Sequence, residues 1–223
     1  MPRLAQNEDG EDKHPDKGRR KVHRQKPDKG LTPVGQYARN GLLSLLVEKS
    51  FMFSETPTFK LASGKMSSYY VNCKKTAYDA EGINLIGSVV FDAVKKYSPT
   101  AVGGLTLGAD PIAIAVAGES FRRGSPIKAF VVRKVTKEHG TKSPVEGDVS
   151  AGDAVVILED VITTGDSALT AIKSARDFGL KVLAVVALVD RQEGGRERLL
   201  AEVPAVEAIF TKDELLAHLR SQN

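Results

Sequence analysis

Val155-Val156-Ile157-Leu158-Glu159-Asp160-Val161-Ile162-Thr163-Thr164-Gly165-Asp166-Ser167 decides the fold class. Its first four residues are apolar without alternation, the pattern of a strand covered on both faces, as in a parallel sheet. Two carboxylates, Glu159 and Asp160, follow at the carboxyl end of that strand, where open α/β sheets place their ligands. Thr163-Thr164-Gly165 then makes a small, hydroxyl-rich turn into an amphipathic run from Ala168 to Phe178. Such a turn wraps backbone N–H groups around a phosphate at a helix N-terminus. Carboxylates repel phosphate, so the acid pair is assigned to a sugar's hydroxyls and the turn to that sugar's phosphate. A ribose 5-phosphate is the implied ligand. Asp166, directly after the glycine, is expected to be an acid of the first helical turn that points away from the phosphate. The competing account is a plain βα junction with an accidental acid pair and a Thr-Thr cap.

Working outward, strands and helices alternate around this stretch. Thr32-Pro33 opens a helix whose apolar face is Leu42, Leu43, Leu45, Leu46 and Val47. Phe51 to Leu61 and Ser68 to Asn72 look extended, so residues 51–73 are expected to form a small antiparallel piece, with Cys73 in a strand as a small filler. Helical periodicity runs from Gly82 to Tyr97. Strand Ala101–Leu105, helix Pro111–Arg122, strand Ile127–Arg133, strand Ala154–Leu158, helix Ser167–Phe178 and strand Lys181–Val189 follow. A short strand, Ala208–Phe210, runs into a helix capped by Thr211 with Glu214 as its capping-box acid. This order predicts an α/β fold, a mostly parallel central sheet flanked by helices. The stretch from Lys134 to Gly152 is expected to be one long loop, and a loop of that length inside a domain is usually functional.

The two ends and the composition bound the function. Residues 1–30 carry nine Lys/Arg against six Asp/Glu, net +3 of the chain's +4, with few aliphatics. They are expected to form a disordered charged tail, since so little apolar surface cannot offset chain entropy. Residues 31–223 are then one domain, nearly neutral, so the sequence pI near 9.1 is only weak evidence for a nucleic-acid partner, and none is expected. The tail lacks a secretory apolar segment, the longest apolar run (Val182 to Val189) is too short to span a bilayer, and Cys73 is the single cysteine. A cytoplasmic protein with no membrane partner is expected, and the length leaves no room for a second fused catalytic domain.

Three further segments carry chemistry. Arg133-Lys134-x-x-Lys137-x-His139-Gly140-Thr141 starts where a strand ends and gathers three cations and a histidine in a glycine-containing loop. It suits neutralisation of a polyanion such as pyrophosphate, and a mobile loop would close over the substrate and exclude water; by itself it could equally be a solvated basic loop. Leu105-Thr106-Leu107-Gly108-Ala109-Asp110-Pro111 is a second strand-to-helix turn with small residues, in which Asp110 could instead simply cap the helix. Val189-Asp190-Arg191-Gln192-Glu193-Gly194-Gly195 follows another buried strand at the same sheet edge. An arginine there can grip a carboxylate with both arms, or else form a surface pair with Asp190.

The acid pair followed by Thr-x-Gly resembles the phosphoribosyl pyrophosphate (PRPP) motif of type I phosphoribosyltransferases. Arg-Lys-x-x-Lys-x-His resembles the catalytic loop of orotate phosphoribosyltransferases. Five segments match that family in order over about residues 32–220. The resemblance implies the type I phosphoribosyltransferase fold with a small N-terminal hood (about 51–73) and a flexible catalytic loop (about 133–150). It implies a pentosyltransferase that moves the 5-phosphoribosyl group of PRPP to N1 of orotate. The products would be orotidine 5'-monophosphate and pyrophosphate, in UMP biosynthesis. On that resemblance Arg133, Lys134, Lys137 and His139 contact the pyrophosphate, and Gly108 and Ala109 help to bind it. Glu159, Asp160, Val161, Ile162, Thr163, Thr164, Gly165, Asp166 and Ser167 hold the ribose 5-phosphate. Thr163 and Arg191 contact orotate, whose carboxylate distinguishes it from other bases. Lys137, His139 and Asp160 are the catalytic candidates. Mg²⁺ would arrive on PRPP, as no cage of protein metal ligands is apparent, and the loop would reach into the partner's site of a homodimer.

One departure stands out. Phe59-Lys60-Leu61-Ala62-Ser63-Gly64-Lys65-x-Ser67-Ser68-Tyr69-Tyr70 resembles the family's N-terminal signature, but Ala62 replaces a lysine that many members carry. Lys60 or Lys65 could substitute for it. Tyr69 is either part of the base-binding hood or of a cross-strand aromatic cluster. A transferase for another base, and a PRPP-sensing regulator that has lost turnover, are the rival functions.

Overall fold

The computed structural model describes residues 33–60, 64, 66–134 and 144–222. Helix α1 (Pro33–Ser50) leads into four short strands, β1 (Phe51–Phe53), β2 (Phe59–Lys60), β3 (Met66–Ser67) and β4 (Tyr69–Val71). The one-turn helix α2 (Lys74–Ala77) and α3 (Ala80–Val94) follow. Next come β5 (Ala101–Leu105), α4 (Ala109–Arg122), β6 (Lys128–Val132), β7 (Val145–Gly147) and β8 (Ala154–Ile162). The chain ends with α5 (Asp166–Asp177), β9 (Lys181–Asp190), α6 (Gly195–Leu200), β10 (Val206–Thr211) and α7 (Lys212–Gln222).

Six strands make the central sheet in the order β10-β9-β8-β5-β6-β7, parallel throughout except for β7, which runs antiparallel to β6. The unalternating apolar run of β8 has the cause expected for it. Val156 and Leu158 pack into a core with Leu42, Leu46, Ile86, Val90, Ile112 and Val116 of α1, α3 and α4. Val155 and Ile157 pack into a second core with Ala171, Ile172, Ala175 and Leu199 of α5 and α6. Each such side chain taken out of water contributes roughly 1.5–3 kcal/mol, so the doubly covered strand anchors both layers. The N-terminal strands form two antiparallel pairs, β1 with β4 and β2 with β3.

Local signals account for the helix ends. Asp79 caps α3, accepting hydrogen bonds from the N–H groups of Glu81 and Gly82 (both 3.0 Å), and pairs with Lys49 at 2.5 Å. The capping box of α7 is reciprocal: the Thr211 N–H donates to Glu214 Oε2 (2.9 Å) and the Glu214 N–H to Thr211 Oγ1 (3.2 Å).

Several expectations need correcting. Strand β8 continues through Ile162, so Glu159 and Asp160 lie within it, held by pairing of Glu159 with Ala187 and of Val161 with Val189 on β9. The segment predicted as a single loop from Lys134 to Gly152 contains β7, which extends the sheet by pairing with β6. Cys73 lies in the turn at the start of α2, not in a strand, although it is a fully buried filler. Helices α2 and α6 are too short to show a periodicity, and neither was foreseen.

The topology also sets where a crevice opens. From β5 the chain passes through α4 to β6 on one side; from β8 it passes through α5 to β9 on the other, and β5 and β8 are neighbours. Connections diverge there, which opens a crevice outside the carboxyl ends of these two strands. No helix among the described residues is long and apolar enough to cross a membrane.

Candidate active site

The crevice is outlined by three strand ends and one segment that bridges them. Lys74, at the start of α2, places Nζ 3.5 Å from Asp160 Oδ2 at the end of β8. Five residues earlier, Tyr69 stands against Arg191 at the end of β9, with the guanidinium 4.9 Å from the ring centroid. The Arg191 N–H donates to the Ile162 carbonyl (2.9 Å), tying the ends of β8 and β9 together. From the β5 side, Gly108 comes so close that a Cβ there would lie 2.6 Å from Asp160 Oδ1. Only a residue without a side chain lets the 106–109 turn and the α4 N-terminus approach the acid pair.

Glu159 is buried (6% exposed) and Asp160 nearly so. The Asp160 N–H reaches Glu159 Oε1 (3.3 Å), and the Val161 N–H donates to Asp160 Oδ1 (2.9 Å). Burial first, then the charge and hydrogen bond of Asp160, push the Glu159 carboxyl up from 4.5 to about 8; Lys74 opposes the shift weakly. Two adjacent carboxylates in a dry site cannot both ionise cheaply. Burial against its neighbour thus disposes the Glu159 carboxyl to hold its proton well above the usual carboxylate range.

The phosphate-turn candidate is built as a tight corner. Gly165 has φ +83°, and Gly195 O would lie 3.1 Å from a Cβ on it, so both backbone and space demand glycine. Asp166 opens α5 as expected, and its carboxylate is turned aside: it accepts from Thr164 Oγ1 (2.7 Å) and pairs with Arg198 (2.9 Å). Those two contacts, Thr164 before Arg198, hold its carboxyl below the usual range. Arg198 also donates to the Thr164 carbonyl (2.6 Å), so α6 clamps the turn from behind. Sequence reasoning missed Arg198 and Lys74, because neither sits in a recognisable pattern.

Arg191 is buried (7% exposed), which overturns the alternative of a surface pair with Asp190. Asp190 instead accepts from the Gln192 N–H (2.7 Å). The partner of Arg191 is Glu193, whose Oε1 is 2.8 Å from Nη2 and also accepts from the Tyr69 hydroxyl. Tyr69 stacks on Phe51 (centroids 6.2 Å apart), so it serves the aromatic cluster and the crevice together. Asp110 does not cap α4: it lies inside the first turn, and its buried Oδ1 has no hydrogen-bond partner.

Arg133 is paired with Glu146 of β7 (3.3 Å), and Lys134 is exposed. Lys60 is exposed on β2. Lys137, His139, Ala62, Lys65 and the tail 1–30 lie outside the described residues. Val161, Ile162, Thr163, Gly165 and Ser167 form the strand end, turn and helix start on which the acid pair and the phosphate candidate depend. Among the described residues no group of three or more His, Cys, Asp or Glu could hold a metal.

This architecture and crevice define the molecule as a phosphoribosyltransferase of type I fold. A phosphoribosyltransferase from Corynebacterium diphtheriae matches it with a TM-score of 0.69 at 33% identity, covering 80% of this chain and 98% of that one. The orotate phosphoribosyltransferase of Aquifex aeolicus is 49% identical over 178 residues, 80% of this chain and 97% of that protein, and the chain belongs to the orotate phosphoribosyltransferase family. The enzyme of that name from Mycobacterium tuberculosis, solved in complex with PRPP, matches with a TM-score of 0.66 at 33% identity, covering 80% and 98% of the two chains. No protein-family model matches the chain.

Proposed function

We infer that the protein is an enzyme transferring the 5-phosphoribosyl group of PRPP to N1 of orotate, releasing pyrophosphate and forming orotidine 5'-monophosphate. The observation that carries this is the 49% identity to the Aquifex aeolicus enzyme across almost that whole protein. It is supported by a buried arginine facing the crevice beside the acid pair and turn.

Displacement at the ribose C1 makes the sugar cation-like and the leaving group highly anionic, so catalysis rests on charge placement and alignment. In our reading the Thr163-Thr164-Gly165 turn and the α5 N-terminus hold the 5-phosphate, with Arg198 keeping the turn in shape. Glu159 and Asp160 hold the ribose hydroxyls. Glu159, its carboxyl pushed towards the protonated form, donates or accepts according to the hydroxyl it meets, and negative charge on the pair favours the developing cation. Arg191 anchors orotate by its carboxylate, and Thr163 touches the base. The α4 N-terminus at Gly108 and Ala109 receives the pyrophosphate, and Arg133, Lys134, Lys137 and His139 neutralise it as it leaves.

Mg²⁺ would neutralise the diphosphate and template its oxygens when bound. The donor chemistry fits: Asp160 brings a carboxylate to the end of β8, which suits a cation that takes most of its ligands from substrate and water. A homodimer is supported by the apolar stripe of exposed Leu107, Ile114 and Phe121, spaced seven residues apart along α4 and its entry turn. A cytoplasmic setting fits the single, buried, free Cys73.

The test is Arg191→Ala assayed by loss of orotate absorbance with PRPP and Mg²⁺. The orotate KM should rise far more than the PRPP KM. Equal rises would remove Arg191 from base recognition, and turnover of adenine, hypoxanthine or uracil in place of orotate would overturn the substrate.

A further inference from the structure

We propose that Glu193 is the exchangeable counterion of the base site: it occupies Arg191 in the free protein and gives way to the carboxylate of orotate. The inference rests on Arg191 as the anchor for that carboxylate.

Arg191 is 93% buried, and a desolvated guanidinium without an anion is strongly disfavoured, so something must compensate it when the crevice is empty. Glu193 does so from two residues away, with its side chain one-third exposed at the crevice mouth. The contact is close, 2.8 Å, yet off the hydrogen-bond direction: Arg191 Nε and Nη2 are both buried and have no directed acceptor. Two parallel N–H donors left unsatisfied on one edge of a guanidinium are the complement of a planar carboxylate arriving in the plane. Glu193, tethered through the left-handed Gln192 (φ +59°), meets that edge at Nη2 without a directed hydrogen bond.

An alternative anchor is already in place for the displaced side chain. The Tyr69 hydroxyl donates to Glu193 Oε1, and Lys212 Nζ lies 5.5 Å from the Tyr69 ring centroid, on the same aromatic side chain as Arg191. Glu193 can therefore withdraw from Arg191 towards solvent while keeping the Tyr69 hydroxyl as a partner. The same device selects the base. A neutral base offers Arg191 no replacement charge, so it leaves Glu193 in the way, whereas an anionic base exchanges one carboxylate for another.

The experiment compares full-length wild type with Glu193→Gln, measuring orotate KM, PRPP KM, kcat and the affinity for orotate by titration calorimetry. Removing one partly exposed competing ion pair should lower the orotate KM and Kd about two- to fivefold. The PRPP KM should stay unchanged. Glu193→Asp, one methylene too short to keep the contact, should shift the orotate KM the same way, so a misfolded glutamine variant does not decide the matter. Unchanged or weakened orotate binding in both variants, with Arg191→Ala still raising the orotate KM, overturns the counterion and leaves the anchor standing. If Arg191→Ala also leaves the orotate KM unchanged, the anchor itself is wrong and the counterion falls with it.

Discussion

Glu159→Gln removes one proton-binding group from a strand position that is 6% exposed and changes little else. The amide has nearly the volume of the acid and keeps an N–H to offer Asp160. In the unfolded chain Glu159 loses its proton near 4.5, whereas in the folded protein it holds it to about 8. Between those values the folded state binds more protons than the unfolded one, so wild-type stability falls as pH rises through this window and levels off above it. Each pH step costs about 1.4 kcal/mol, which accumulates to about 3 kcal/mol at pH 7. Glutamine carries no such cost. The variant should match wild type near pH 4.5 and exceed it by about 3 kcal/mol at pH 7, or roughly 6–12 °C in Tm for a domain of this size. Because the chain has no tryptophan, urea unfolding followed by far-UV circular dichroism is the assay, run from pH 5 to 8 at one protein concentration. A wild-type minus variant difference that does not change with pH would refute the protonated Glu159.

Lys137→Ala should depress kcat by roughly ten- to a thousandfold, the effect of losing one transition-state charge contact; an unchanged kcat would remove the 133–141 loop from catalysis. Gly108→Ala places a carbon 2.6 Å from Asp160 Oδ1 and must push that carboxylate off Lys74. Its overpacking should cost about 1–3 kcal/mol, and kcat/KM for PRPP should fall while a thermal melt shows a protein still folded; unaltered kinetics would mean the turn does not support the site. Arg198→Ala frees the Thr164 carbonyl and Asp166, so the PRPP KM should rise several-fold with kcat little changed. An unaffected KM would show that the turn keeps its shape without α6.

The residues 155–167 by themselves announced a doubly covered strand, an acid pair and a glycine turn, because apolar runs and turn chemistry are local properties. The capping box at Thr211 and Glu214 was equally legible, being an interaction three residues apart. The element order predicted a mostly parallel sheet, which the strand pairing bears out. What sequence could not supply is everything that depends on which distant residues meet. Strand β7 has three residues and no pattern of its own; it exists because the edge of β6 accepts it. That the Glu159 carboxyl is pushed up follows from burial against Asp160 near the carboxyl end of β8, which is a property of the packed sheet. Lys74 meets Asp160 and Arg198 meets Thr164 and Asp166 only because α2 and α6 are folded back against the β8 end. For Arg191, a carboxylate grip was the expectation and a surface pair with its chain neighbour Asp190 the alternative. Pleating and the turn at Gln192 part them and give Arg191 instead to Glu193 and Tyr69, since a strand's successive side chains leave opposite faces and only the fold decides what waits on each.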